Sequence, residues 1–275
     1  MPASMSNLSL ELLSHIASFL EREEDQSHIP LLLRQRVHSK YACISRQWQY
    51  AIERHTFHSL RIKSTELTYF TKIVVGHRQR FLTSLKYDVI LPSYTDSACA
   101  RFEREPEQTA NSEAFTATIL ALFKSLESWE SDNSGRTQDA GSIALGITAY
   151  SPMDSHHRGD EKYKEDQKQC DLGQRSDLWD ERYEHSYLQL LHTQDLPTLS
   201  LISALNVHAN SPRSIEPGSI ATLAVKLPNL RSIDWDFKDN EKRDPELAQK
   251  LHHSMFSTLF TISLVSPTHA PQALC

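Results

Sequence analysis

A six-residue phrase, apolar-x-x-apolar-x-apolar, recurs in this chain and constrains its fold more than any other feature. It reads Phe57-x-x-Leu60-x-Ile62, then Leu82-x-x-Leu85-x-Tyr87. It returns as Ile202-x-x-Leu205-x-Val207, Leu230-x-x-Ile233-x-Trp235 and Leu259-x-x-Ile262-x-Leu264. The closing alternation marks a short strand with one buried face. The middle positions are 25 residues apart in the first pair, and 28 and 29 apart in the last three copies. A related alternation, Ile143-x-Leu145-x-Ile147, stands in the gap between the two groups. Parallel strands at such spacing need a returning segment, often a helix, to cover them. The expected fold class is therefore α/β (α+β).

The returning segments are legible. Ser64 to Val74 carries Leu67, Phe70, Ile73 and Val74, with Ser64 as a capping residue. Asn111 to Trp129 carries Phe115, Ile119, Leu122, Leu126 and Trp129 at helical spacing. Pro217 starts a short helix toward Lys226, and Asp244-Pro245 opens another over residues 246–253. Core packing accounts for all these stripes. A strand-and-return unit repeating every 20–29 residues is the leucine-rich-repeat signature, which predicts a solenoid over residues 57–265. The remaining ten residues, 266–275, read as an irregular tail.

The first 56 residues have another pattern. Leu8, Leu12, Ile16 and Leu20 follow i, i+4 spacing, widened by Leu13 and Phe19. Asn7 or Ser9 caps this helix, and Glu11 suits its first turn. A second helix over Tyr41–Ile52 places Tyr41, Ile44, Trp48 and Ile52 on one stripe, with Cys43 as a small core residue. Apolar periodicity at Ile29 to Leu33 adds a short third helix. So small a module exposes more apolar surface than it buries, which marks a partner site.

Residues 154–184 break the pattern. Sixteen of these thirty-one residues are Asp, Glu, Lys or Arg. Such a composition does not offset the entropy of ordering, so a mobile insertion is predicted, redocked by Trp179, Tyr183 and Tyr187. Charge is uneven elsewhere too. Residues 31–90 carry eleven Lys or Arg against three Asp or Glu, while the whole chain of 275 residues has a net charge of −6. The basic block reads first as a solvated face, since no zinc-finger spacing or aromatic-interleaved motif points to nucleic acid.

Catalytic motifs are missing: there is no Gly-x-Gly-x-x-Gly, phosphate loop, His-Glu-x-x-His or Gly-x-Ser-x-Gly. His156-His157 and His252-His253 are adjacent pairs whose side chains diverge, which makes poor joint metal ligands. Asp154, Asp160 and Asp166 fall in the charge run, a poor place for a catalytic carboxylate. No cofactor, metal or enzyme activity is expected. Four widely spaced cysteines and no apolar run of about 18 residues point to a reducing compartment, cytoplasm or nucleus, and to no membrane partner.

The N-terminal block resembles the F-box family. Leu8-Ser9-Leu10-Glu11-Leu12, then Ile16 and Leu20, correspond to its opening pattern, and Ile44-Ser45-Arg46-Gln47-Trp48 to its later element. Tyr41 to Gln49, and Glu53 with Thr56-Phe57 and Leu60, are similar to filamentous-fungal members with a leucine-rich-repeat-like region. Val89-Ile-Leu-Pro-Ser-Tyr94, Ile143 to Ile147, Ala149-Tyr-Ser-Pro-Met-Asp154 and Leu227-Pro-Asn-Leu230 extend the likeness to about residue 240. Ser9 and Ser45 stand where the family has Pro and commonly Cys.

The resemblance implies a substrate-recognition subunit of a Skp–cullin–F-box ubiquitin ligase, which catalyses nothing itself. Residues 1–56 would bind a Skp-type adaptor, and through it a cullin, by Leu8, Leu10, Glu11, Leu12, Ile16, Leu20, Ile44 and Trp48. The repeats would hold an unknown target protein. Strand residues between the apolar ones would line its concave face: Arg61, Lys63, Lys86 and Asp88, Thr148 in the middle, then Asn206, His208, Asp234 and Asp236. That surface would run from basic to acidic. The alternative is a repeat scaffold with a degenerate F-box and no ubiquitin chemistry.

Overall fold

The computed structural model describes residues 9, 11–16, 42–95, 98, 102–131, 143–154, 182–183, 186–207, 213–235 and 249. Residues 11–16 are helical, and Ser9 Oγ accepts a hydrogen bond from Leu12 N at 3.3 Å, the N-cap arrangement. Helix α1 (Arg46–Thr56) begins where Ser45 Oγ accepts from Trp48 N at 3.3 Å. This cap moves the start from the predicted Tyr41 to Arg46. Ile44 and Cys43 lie ahead of it, and Cys43 is exposed rather than a core residue. Arg54 and His55 sit in the last turn, where the helix dipole favours positive charge.

Strands β1 (Ser59–Lys63), β2 (Ser84–Ile90), β3 (Ile143–Tyr150), β4 (Ile202–Val207) and β5 (Ser232–Trp235) form one parallel sheet in chain order. Five of the predicted strand phrases thus become neighbours, and Leu259 to Leu264 lies outside the described residues. Within each phrase, the first apolar residue sits three positions before the second, an odd offset that a regular strand would turn to the opposite face. The chain solves this outside the ladder. Phe57 caps α1, and Leu82 ends α3 (His77–Phe81). In β4 the register slips so that Ile143 pairs with Ile202 but Ala144 pairs with Ala204, leaving Ser203 as a bulge.

A 3₁₀ turn (Ser64–Glu66), α2 (Leu67–Ile73) and α3 return β1 to β2, and α4 (Glu105–Ser131) returns β2 to β3. α4 starts six residues before the predicted Asn111, because Glu107 reaches back to accept from Arg104 N at 3.0 Å. α5 (Pro217–Val225) opens on proline as predicted and links β4 to β5. Ser64 does not cap its helix; its Oγ accepts from Ile90 N at 3.1 Å. The helix expected over 246–253 falls, save Gln249, outside the described residues.

One continuous core fills the space between helices and sheet. Leu60, Ile62, Leu85, Tyr87, Val89, Leu145, Ile147, Leu205 and Val207 pack with Phe70, Phe115, Ile119, Phe123, Leu126 and Leu223. Tyr87 places its ring here and donates its hydroxyl to Thr118 O at 3.4 Å. Burial at about 25 cal/mol per Å² makes this cluster the main stabilising term. A separate small cluster of Leu13, Trp48, Ala51 and Ile52 joins residues 11–16 to α1.

Two polar contacts, both on Glu53, tie α1 to the first return. Glu53 is buried, with His77 Nε2 at 2.5 Å and Arg78 donating at 2.7 Å. Gln49 donates at 3.1 Å from within α1. Burial pushes the Glu53 carboxyl up, but the hydrogen bonds from Arg78, His77 and Gln49 outweigh it, so the net shift is downward.

Candidate recognition surfaces

The N-terminal module has an inward and an outward side. Leu13, Trp48, Ala51 and Ile52 point in, while Leu12, Ile16 and Ile44 are exposed, at 52, 37 and 50%. Glu11 is also exposed. Trp48 is therefore not on the exposed stripe with Ile44; it supports the stripe from below. A cavity of about 860 Å³ opens beside this contact, lined by His15, Arg54, His55 and His58 among others. Packing within the described part of the module is thus confined to one small cluster. Leu8, Leu10 and Leu20 lie outside the described residues.

The second surface is the sheet face turned away from the core. Strand register sets its rows. Arg61, Lys86, Gly146, Asn206 and Asp234 form one row across all five strands. Lys63, Asp88 and Thr148 form the next. Arg61, Lys63, Lys86 and Asp234 are exposed, and Thr148 and Asn206 are partly so. The structure thus brings together seven of the nine residues read as a concave lining. His208 and Asp236 lie outside the described residues.

Asp88 departs from the expected pattern. It is buried, not presented to solvent. Arg61 Nε donates to its Oδ2 at 2.7 Å, and Thr148 Oγ1 donates to its Oδ1 at 2.5 Å. Two neighbouring strands therefore close over it. The Asp88 carboxylate hydrogen-bonded to the guanidinium holds Arg61 more firmly protonated than usual. Tyr150 shares this face, two residues beyond Thr148, and burial first, then the Asp88 charge, raises its hydroxyl above the ordinary range.

A third polar group was missed by sequence reasoning. At the carboxyl ends of the strands, Arg213 donates two hydrogen bonds to Glu103, at 2.9 and 2.8 Å. Asn111 donates to the same carboxylate at 2.5 Å. The Arg213 guanidinium lies 3.9 Å from the centre of the Tyr183 ring. Tyr183 and Tyr94 both donate to Asp154 Oδ1, at 2.5 and 2.9 Å, while Ser151 N donates to Oδ2 at 2.7 Å. Arg182 stacks over Tyr94 at 4.3 Å and donates to Ala98 O. Burial, joined by the Asp154 charge, pushes both tyrosine hydroxyls far up.

This cluster corrects the boundaries of the predicted insertion. Asp154 and Arg182 are buried and firmly bonded, so the charge run does not begin at 154. Tyr183 is held here by Asp154 and Arg213, and Trp179 lies outside the described residues with the rest of 155–181. The signal available in the sequence was the pair of phrases ending at Tyr94 and Asp154, whose side chains meet here.

Among the described residues no group of three or more His, Cys, Asp or Glu is placed to hold a metal ion. No described helix is long and apolar enough to cross a membrane. Comparison of the chain with protein-family models, with curated proteins and with solved structures gave no match.

Proposed function

We propose that this chain is the target-recognition subunit of a Skp–cullin–F-box ubiquitin ligase. The observation that carries the reading is the two-sided N-terminal module, with its own small core beneath exposed Leu12, Ile16 and Ile44. Exposed apolar side chains over a small core on a short helical module suit a helical partner. Five parallel strands in chain order support a solenoid of repeats, and their polar outer rows suit a protein target. The protein would act by positioning: adaptor at one end, target on the sheet. The test is a calorimetric titration with a purified Skp-type adaptor. Micromolar or tighter binding is expected, and Ile16→Asp should abolish it, since burying one such side chain contributes about 1.5–3 kcal/mol. No binding by the parent protein would leave only the repeat scaffold.

A further inference from the structure

Arg61 is the one described arginine on the open sheet face, and its side chain is half exposed while its partner is sealed. The Arg61 side chain is 44% exposed and that of Asp88 is 4%. We propose that Arg61 is the anchor for an acidic segment of the target, flanked by Lys86 and Lys63, and that Asp88 is a positioning residue that aims it. This rests on the sheet face being the recognition surface.

The geometry separates the two roles. Asp88 is buried with both oxygens engaged, by Arg61 and by Thr148. It therefore has no face to offer a partner. Its bond to Arg61 is made through Nε alone, and among the described residues Arg61 makes no other hydrogen bond. The two terminal amino groups of the guanidinium are left as a planar fork, the edge that grips a carboxylate with two parallel hydrogen bonds. Thr148 fixes Asp88, Asp88 fixes Arg61, and the fork is held before any partner arrives. Such ordering ahead of binding lowers its entropic cost.

The flanking charges say what binds. Lys86 is the register neighbour of Arg61, one strand away, or about 4.8 Å. Lys63 lies two residues along β1 on the same face, about 6.8 Å further. Both are exposed. An extended peptide repeats its side chains at the same interval, so acidic-x-acidic matches Arg61 and Lys63 in step. Gly146, beside Lys86 in the same row, carries no side chain and is buried beside the Lys86 stem, which a Cβ there would meet at an ordinary contact distance of 3.6 Å. Further along the row come uncharged Asn206 and acidic Asp234, which disfavour an acidic segment running on across the sheet.

The experiment is fluorescence anisotropy on the full chain with a labelled peptide carrying a Glu-Ser-Glu core, and a Ser-Ser-Ser control. The parent should bind the acidic peptide and not the control. Arg61→Lys keeps the charge but loses the fork, and should weaken binding about tenfold, the scale of one charge-assisted hydrogen bond. The decisive variant is Asp88→Asn. It adds one positive unit to the face, so a simple charge patch would bind the peptide more tightly. A positioned arginine would bind it several-fold more weakly. Unchanged or tighter binding by Asp88→Asn, equal binding by Arg61→Lys, or no binding by the parent each overturns the proposal. Adaptor titration of the same preparation reads the broader functional proposal separately.

Discussion

Two buried carboxylates in this protein each hold an arginine, and they hold it for different ends. Glu103 and Arg213 are both sealed, with side chains 0 and 1% exposed. Asp88 is sealed, but Arg61 keeps much of its surface in water. In the first pair both charges have left solvent, so each depends on buried partners: on the other, and on Asn111 and the Tyr183 ring beside them. In the second only the acid has, and the base retains hydration and freedom to meet a partner. Burial of the cation, more than the length of the bond, separates a structural ion pair from a poised one.

The largest expected effect breaks the sealed pair. Glu103→Ala strands Arg213 beneath the Tyr183 ring and removes the acceptor of Asn111. The loss should be about 3–5 kcal/mol, the usual cost of an uncompensated buried charge. Asp88→Ala should cost less, because the released Arg61 turns into water. Urea denaturation of both variants measures the difference. Equal losses would show that exposure of the arginine does not distinguish the two sites.

The sheet was legible because its signal is local and periodic. Leu60-x-Ile62, Leu85-x-Tyr87 and Leu205-x-Val207 each alternate over a few residues, and spacing alone put them side by side. The sealed cluster was not legible. Its members, Tyr94, Glu103, Asp154, Arg182, Tyr183 and Arg213, come from well-separated stretches, and the charges look solvated in the sequence. Asp154 and Arg182 sat at the margins of a charge run whose composition argued against order. The exposed face fell between these cases. Alternation placed Arg61, Lys86, Asn206 and Asp234 on it correctly. It could not tell that Asp88 is covered, since that depends on a cross-strand pairing with Thr148. The start of α1 shows the same limit of periodicity: Ile44 and Trp48 share a stripe on paper, but the Ser45 cap puts one outside the helix and the other in the core.

A middle case sharpens the comparison. Glu53 is buried, yet its partners are partly open: His77 is 53% and Arg78 30% exposed. Its carboxyl titrates below its ordinary 4.5 in the folded protein. A depressed folded value means stability that is present above pH 4.5 and lost as pH falls through the lower value. Stability measured by denaturation from pH 6 down to pH 3 should therefore decline, with this residue contributing about 1.5–3 kcal/mol, the scale of hydrogen bonds to a charged group. Glu53→Gln should flatten part of that slope and lower the plateau at pH 6. A slope unchanged by the substitution would mean that α1 and α3 are joined by apolar packing alone, such as the edge-on contact of the Tyr50 and Phe81 rings at 5.0 Å, and that the polar contacts contribute little.

The smallest expected effect falls on Arg61 itself. Arg61→Gln removes a cation that water already solvates in part, and leaves Asp88 with Thr148. Half-exposed ion pairs contribute about 0–1 kcal/mol, so the thermal midpoint should move by only a few degrees. Two features pull in opposite directions. Asp88 is sealed and loses a donor, which would enlarge the cost; the amide of Gln can reach it as a neutral donor, which reduces it. Salt separates the two terms. The exposed part of the Arg61 charge is screened over about 8 Å at 0.15 M, whereas the Nε hydrogen bond to a covered oxygen is not. If the difference between parent and Arg61→Gln vanishes in high salt, surface attraction accounts for it. A difference that survives salt belongs to the hydrogen bond on Asp88, as a held arginine requires. A loss as large as that of Glu103→Ala would place Arg61 with the structural pair, with no part left over for a partner.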